Sequence, residues 1–424
     1  MRKSASQIDY LVEEAAFGPD NEAKERSQRA IRDLAAAQGI YPASIQGLYE
    51  AAGKGLYASM TVPAINIRGI TYHVARAVLG AALKLRVGAL IFEIARSEID
   101  YTGQRPGEYM ACVLGAAIRE EFNGPVFLQG DHFQVNQSRY CLEPERELNV
   151  IKELIWEAVG AGFLNIDIDA STLVDFEKQS FHEQQERNFR VTADMTEFIR
   201  SIEPNGVTIS IGGEIGEVGN RNSTVDDLRA FMTGYLGLLE PNVKGISKVS
   251  VQTGTTHGGV VLPDGSIASV ELDFKTLEAL STVAREAYGM SGAVQHGAST
   301  LPDEAFGLFP QVGTAEVHLA TGFQNIVYDS PHFPKGLLKD IYDHLLNSYC
   351  NERKQGETDE QFLYRTRKKA FGDFKKEMWS LPEENLRAIM GELDSRFSLL
   401  FRSLRVVDTA DLIRSFVFKA HEEY

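Results

Sequence analysis

Phe163-Leu164-Asn165-Ile166-Asp167-Ile168-Asp169-Ala170-Ser171 alternates polar and branched apolar residues with a period of two. That period sets Asn165, Asp167 and Asp169 on one face of a strand and Ile166 and Ile168 on the other. In a closed barrel the isoleucines meet outer helices and the polar set points inward. A carboxylate inside a barrel is costly unless it is paired or bound to a cation. Near the C-terminal rim such a residue is chemical more often than structural, because that rim carries the active site. Asp169 and Ser171 also suit N-cap roles at the following helix.

Outward from this segment, short apolar runs keep alternating with amphipathic stretches of helix length. Strand candidates are 62–67, 89–94, 125–129, 163–169, 206–211, 245–249, 293–296 and 315–320. Helix candidates between them are 72–84, 108–121, 147–161, 183–202, 225–239 and 274–288. Eight strands in such alternation are the arithmetic of an α/β fold of the (β/α)8 TIM-barrel type. A doubly wound sheet would carry a Gly-rich turn after its first strand, and Ile65-Asn66-Ile67-Arg68-Gly69 is not one. The barrel is expected over residues 55–330, after an N-terminal helical segment (1–54, with helices at 21–38 and 43–52). A C-terminal helical extension (331–424) follows, with helices at 337–348, 360–379, 383–400 and 409–421. Residues 352–360, a charge run with one glycine and no apolar anchor, read as an exposed linker. The periodic apolar residues Phe362, Phe371, Phe374, Met378, Leu386, Ile389, Leu393, Phe397, Leu400 and Phe401 need a partner, either the barrel or a second subunit.

The chain has 43 Lys+Arg against 59 Asp+Glu, a formal charge of −16. A net-negative surface repels polyphosphate backbones, so nucleic acid is not an expected partner. Cys112, Cys141 and Cys350 are odd in number and scattered, which points to a reducing compartment. No apolar run is long enough to cross a bilayer, and no apolar segment follows the basic residues of the N-terminus. A cytoplasmic protein without membrane contact is expected.

Other strand ends repeat the polar rim. They read Gln129-Gly130-Asp131-His132, Gly213-Glu214-Ile215-Gly216, Thr256-His257-Gly258-Gly259, and Gln295-His296-Gly297-Ala298-Ser299, with Glu316 and His318 on the eighth strand. His132, His257 and His296 each sit where strand meets loop, beside glycines that let a ligand approach the backbone. Three imidazoles on one cation leave open positions, the pattern of a catalytic zinc-type site. They also leave the cation's charge uncancelled, suiting it to polarise a ketose carbonyl. Asp131, adjoining a ligand, is the acid/base candidate, and Asp169 and Glu214 could hold a second cation or shape a hydroxyl pocket. Glu214 is a further catalytic candidate. Arg96 and Lys248 are the basic residues nearest the rim and suit either an anionic substrate group or pairing with nearby acids. His73, His182, His332, His344 and His421 read as surface or packing residues.

These residues resemble the class II, metal-dependent ketose-bisphosphate aldolases over about residues 55–330. The family's Asp-His pair is matched by Asp131-His132, its His-Gly step by His257-Gly258, and its His-Gly-Gly-Ser loop, imperfectly, by His296-Gly297-Ala298-Ser299. Its Ile-Asp-x-Ser is matched by Ile168-Asp169-Ala170-Ser171, and its Glu-Leu-Gly by Glu214-Ile215-Gly216. The resemblance implies a divalent metal on His132, His257 and His296, an acid/base role for Asp131 at a C4 hydroxyl, and a homo-oligomer. Where the family has Asn-x-x-Thr, this chain has His318-Leu319-Ala320-Thr321, and Ala298 replaces a glycine of the phosphate-cradling turn. Glu93, Tyr101-Thr102-Gly103 and Asn136 resemble the longer tagatose-bisphosphate aldolase subunits called non-catalytic, whose relatives include sugar 4-epimerases.

The expected activity is therefore aldol or retro-aldol chemistry at the C3–C4 bond of a ketose or ketose phosphate. A retro-aldol 4-epimerase shares every residue named, and a non-catalytic subunit is a further alternative, against which retention of the histidines counts. A sugar isomerase would lean more on carboxylate ligands. Candidate substrate contacts are Asn66, Glu93, Arg96, Gln129, Gly258, Gly297, Ser299, His318 and Thr321.

Overall fold

Asn165 to Asp169 are all buried, as a strand must be when one face meets a filled barrel and the other a layer of helices. The computed structural model describes residues 5–57, 59–216, 221–254, 261–263 and 272–417. Its strands are β1 (Ile40–Pro42), β2 (Val62–Asn66), β3 (Ile91–Ala95), β4 (Gly124–Gln134), β5 (Asn165–Asp169), β6 (Ser210–Glu214), β7 (Lys248–Val251), β8 (Ala293–Gln295) and β9 (Glu316–Leu319). β2 through β9 pair in parallel around a closed ring, with β4 on β5 and β9 on β2. This is the expected eight-stranded TIM barrel.

β1 is an addition to the expected set, pairing Ile40–Pro42 with the start of β4. Asn165 ties this region to the barrel floor. Its Nδ2 donates to Ala43 O (3.1 Å) and Leu128 O (2.9 Å), and its Oδ1 accepts from Ile45 N (2.9 Å). The inward polar face of β5 thus divides, with its first residue structural and its later two at the site. β6 starts at Ser210 and β7 at Lys248, later than expected.

The N-terminal segment contains a helix the sequence reading did not anticipate, Ala5–Phe17, ahead of Asn21–Ala36. Both pack on the barrel helix Pro106–Arg119. Asp20 caps the second by accepting from Ala23 N at 2.8 Å.

The C-terminal stripe is covered by the chain's own barrel. Glu383–Ser403 lies along Thr71–Lys84 and buries Ile389, Leu393, Phe397, Leu400 and Phe401. The single helix expected over 360–379 is instead broken into Asp359–Thr366, a tight turn at Arg367–Lys369, Ala370–Asp373 and Lys375–Trp379. Two close approaches explain the breaks. A Cβ on Gly372 would fall 2.0 Å from Tyr101 O, and one on Gly69 would fall 1.9 Å from the Phe371 ring. A straight helix could not follow the barrel surface through both contacts. Among the described residues no helix is long and apolar enough to cross a membrane. His257, Gly258 and His421, with the end of the helix expected at 409–421, lie outside the described residues.

Candidate metal and substrate site

Consecutive residues of a regular strand point to opposite faces, yet Asp131 and His132 both reach the rim. The pairing of β4 with β5 explains it. Gly130 opposes Ile166 and Phe133 opposes Ile168, so β4 holds one extra residue, a β-bulge. His132 takes up the distortion at φ +41°, in the left-handed region that a non-glycine residue occupies only under constraint. A Cβ on Gly130 would collide with the Phe133 ring at 2.5 Å, so the residue before the bulge must be glycine.

The bulge aims His132 at two carboxylates. Its Nδ1 lies 3.0 Å from Asp169 and 3.1 Å from Glu214, and its Nε2 lies 3.8 Å from Asp131. Asp169 is itself fixed by Ser171 N (3.0 Å), Ser171 Oγ (2.7 Å) and Gln134 Nε2 (2.5 Å). The His132 ring is 4.1 Å from that of His296, which is 4.0 Å from that of His318. His296 contacts Ser250 Oγ at 3.0 Å. His318, on β9, faces Glu93 (3.0 Å) and Asp131 (3.2 Å) through Nδ1, and Glu316 (2.6 Å) through Nε2.

Below the histidines the barrel interior is ionic. Lys248 Nζ donates to Glu316 (2.5 Å) and Gln129 (2.8 Å) and lies 3.0 Å from Asp167. Tyr49 also donates to Glu316. Gly212 makes room for this pair, since a Cβ there would sit 2.2 Å from Asp167 Oδ1. Lys248 is therefore a buried structural counter-ion, deeper than the rim position read from the sequence.

Six buried carboxylates (Glu93, Asp131, Asp167, Asp169, Glu214, Glu316) surround three imidazoles and one lysine. Burial, reinforced by Asp131, pushes Glu93 up to about 7. Burial and the charge of Asp169 push Glu214 up to about 7. Asp167 is raised to about 6 by burial, which outweighs the pull of Lys248. Burial opposes protonation of His132, but Asp131, Glu214 and Asp169 together raise it well above the ordinary imidazole range. Burial likewise would raise Glu316, but Lys248 and His318 hold it down. Negative charge is in excess, and protons are drawn in where a cation's charge would otherwise serve. Asp131, His132 and His296 bring ligand atoms within 4.8 Å of one another, as do His132 with Asp169 and Glu214, and Glu93 with Asp131 and His318. This donor set fits a divalent metal.

The histidines floor a cavity of about 810 Å³. Of the candidate substrate contacts, Asn66, Glu93, Arg96, Gly297, Ser299, His318 and Thr321 line it. Gln129 does not. It is fully buried under the floor, donating to Glu93 (3.0 Å) and Glu316 (2.8 Å). Asp169 and Glu214 stand behind His132. Arg96 lines the wall while paired with Glu147 at 2.6 Å.

The expected exposed linker proves to be part of the site. Lys354, Gln355, Gly356 and Glu357 line the cavity mouth together with Tyr364, Arg365 and Lys368. This roof is pinned by Thr358 Oγ1 to Pro263 O (3.1 Å) and Gln361 Nε2 to Val261 O (2.8 Å). A charge run reads the same whether it borders bulk water or a water-filled cavity. Sequence reading also passed over Arg68 and Glu98, a 2.8 Å ion pair in the wall. Arg68 lies two residues past the end of β2, so the rim rule applied elsewhere would have found it.

Residues 43–384 match the family described as Fructose-bisphosphate aldolase class-II. That match runs past residue 330 into the appended helices. No curated protein matches the chain. Among solved structures, the fructuronate-tagaturonate epimerase of Cohnella laeviribosi superposes with a TM-score of 0.56 at 14% identity, covering 82% of each chain. The YdjI aldolase of Escherichia coli K12 gives 0.51 at 15% identity, covering 87% of this chain and 99% of that one. The fructose-bisphosphate aldolase of Campylobacter jejuni gives 0.50 at 16%, covering 87% and 96%. At these identities the likeness is one of fold.

Proposed function

The chain belongs to the class-II fructose-bisphosphate aldolase family, and from that premise we propose that it is a metal-dependent enzyme that breaks and makes the C3–C4 bond of a ketose or ketose phosphate. The observation that carries this reading is the bulge in β4, which turns Asp131 and His132 together into a cavity opposite His296. His132 and His296 would hold a divalent cation of the zinc type, with His257 as the third ligand of the family pattern. When bound, that cation supplies Lewis-acid polarisation of the ketose carbonyl.

The chain's own groups do the rest. Asp131 accepts the proton of the C4 hydroxyl as the C3–C4 electron pair withdraws to the carbonyl-bearing fragment and C4 becomes an aldehyde. In the reverse direction it returns that proton to the C4 oxygen. Asp169 and Glu214 hold the His132 ring in place through Nδ1, leaving Nε2 directed toward Asp131 and the cavity. The enzyme works in a reducing compartment as a homo-oligomer.

A 4-epimerase is the second reading, favoured by the roof of residues 354–368 over the cavity. A roofed site retains the aldehyde half long enough to present its other face before the bond re-forms. Metal-loaded protein should be incubated with free and phosphorylated C6 ketoses and the products separated. Triose fragments indicate an aldolase, and epimeric hexose without free fragments indicates an epimerase. Absence of both from every ketose would overturn the proposed chemistry.

A further inference from the structure

β4 carries an unfavourable backbone conformation at the centre of the site. His132 stands at φ +41°, and such a residue persists only where the surrounding structure over-determines it. On the β5 side the chain is held well past the bulge. Phe133 and Gln134 pair with Ile168 and Asp169, and Val135 N donates to Asp169 O at 2.8 Å. On the β3 side the ladder stops at the bulge itself. Its last pair sets Asp131 opposite Ala95, and the next residue, Arg96, opens the helix Arg96–Thr102.

The Arg96 side chain takes over where the strand ends. Its Nη1 donates to Gln134 O at 2.5 Å and to Glu147 Oε1 at 2.6 Å. The same Glu147 oxygen accepts from Asn136 N at 2.9 Å. Residues 134–136 are thus bonded by β5 on one side and by Arg96 and Glu147 on the other. Gln134 passes the restraint on, since its Nε2 donates at 2.5 Å to Asp169, the carboxylate that faces His132 Nδ1. Glu147 is 2% exposed, so its charge depends on Arg96 for compensation. A substrate anion that drew Arg96 into the cavity would strand that carboxylate and release Gln134 O together. The guanidinium lines the wall but is committed to the backbone.

We infer that Arg96 and Glu147 are positioning residues that lock the β4 bulge, and through it the aim of His132 at the metal. This rests on the metal reading above. Arg96 thereby leaves the set of substrate contacts, and its effect on the site runs through Gln134 and Asn136.

Co²⁺ is the probe, because its visible spectrum reports ligand geometry as well as occupancy. Its affinity for the full-length protein is measured by titration, alongside the unfolding midpoint of each variant. Arg96→Met removes both bonds at similar length and should weaken Co²⁺ binding about tenfold, with an altered visible band. Arg96→Lys should recover most of that loss, because a single nitrogen makes both bonds in the wild type. Glu147→Gln keeps the acceptor oxygen but not its charge and should show a smaller fall in the same direction. Wild-type affinity and spectrum in Arg96→Met would overturn the inference, whatever the variant's unfolding midpoint. Should Arg96→Met fail to fold, the same result in Glu147→Gln would overturn it. A wild-type protein that takes up no Co²⁺ would overturn the metal reading and this inference together, whereas unaffected variants of a protein that binds Co²⁺ would overturn the inference alone.

Discussion

His132 Nδ1 and the Asp169 carboxylate lie 3.0 Å apart across the β4–β5 pair, the carboxylate buried and the imidazole half-buried at the cavity floor. A carboxylate on one imidazole nitrogen fixes the ring's orientation and makes the other nitrogen a better donor to a metal. Asp169→Asn keeps the size and removes the charge. Metal affinity, measured by competition with a chromogenic chelator, should fall about 10- to 100-fold. Unchanged affinity would remove Asp169 from the support of the site.

Lys248 sits at the barrel's centre with Glu316 at 2.5 Å and Asp167 at 3.0 Å, and Gln129 completes its hydrogen bonds. Removing one partner of a buried ion pair strands the other. Lys248→Met should cost about 3–5 kcal/mol in denaturant unfolding. The double variant with Glu316→Gln should recover part of that loss, because fewer uncompensated charges remain.

The relation between sequence and site is uneven, for physical reasons. The alternation Asn165-Ile166-Asp167-Ile168-Asp169 was legible because the pleat of a strand allows only one assignment of faces. The adjacency of Asp131 and His132 pointed to the site, but how both reach it depends on the register of β4 against β5, a property of two strands. Lys248 was visible as a basic residue near the rim. Its depth follows from where β7 begins, three residues later than the apolar run implied. The roof was least legible, since residues 352–360 carry no apolar periodicity and their place over the mouth is set by helices packed elsewhere.

Phe397 anchors the appended helix Glu383–Ser403 by packing its ring 4.8 Å from that of Phe323. It is fully buried. Phe397→Ala should cost about 3–5 kcal/mol by transfer and cavity terms. Truncation after Lys354 removes this helix and uncovers the apolar face of Thr71–Lys84. Aggregation in sedimentation velocity is the expected outcome, because so large an apolar patch is rarely tolerated in solution. A truncated chain that stays monodisperse and active would show the extension to be dispensable.

His73 lies at the other side of that extension, its ring 5.7 Å from Trp379 and 5.3 Å from Tyr72. Burial, assisted by Arg76, lowers its pKa from 6.5 to about 4. Above pH 6.5 the imidazole is neutral in both folded and unfolded chains and the contribution is complete. As pH falls from 6.5 toward 4 only the unfolded chain gains the proton, so stability is lost through that window. Between pH 7 and pH 4.5 the wild type should lose about 2 kcal/mol more than His73→Phe, allowing for the ring's partial exposure. Parallel unfolding curves for the two proteins across this range would show that the ring does not titrate as stated.

Asp131 tests the chemistry itself. Its side chain lies within 3.8 Å of His132 Nε2 and 3.2 Å of His318 Nδ1, between a proposed ligand and the imidazole that stands where the family has asparagine. Changing Asp131 to asparagine preserves the volume and removes the group proposed to carry the C4 hydroxyl proton. General acid/base catalysis contributes about 10² to 10⁴ in rate, so turnover should fall by that factor. Metal content by elemental analysis should stay close to the wild-type value, because the imidazoles rather than Asp131 hold the ion in this reading. His132→Ala should lose metal and activity together. The two variants therefore separate proton transfer from metal binding. A Asp131→Asn protein that turns over at the wild-type rate would move the proton carrier elsewhere, to Glu214, Asp169 or His318. One that loses its metal would make Asp131 a ligand instead, consistent with its donor distance to His132 and His296.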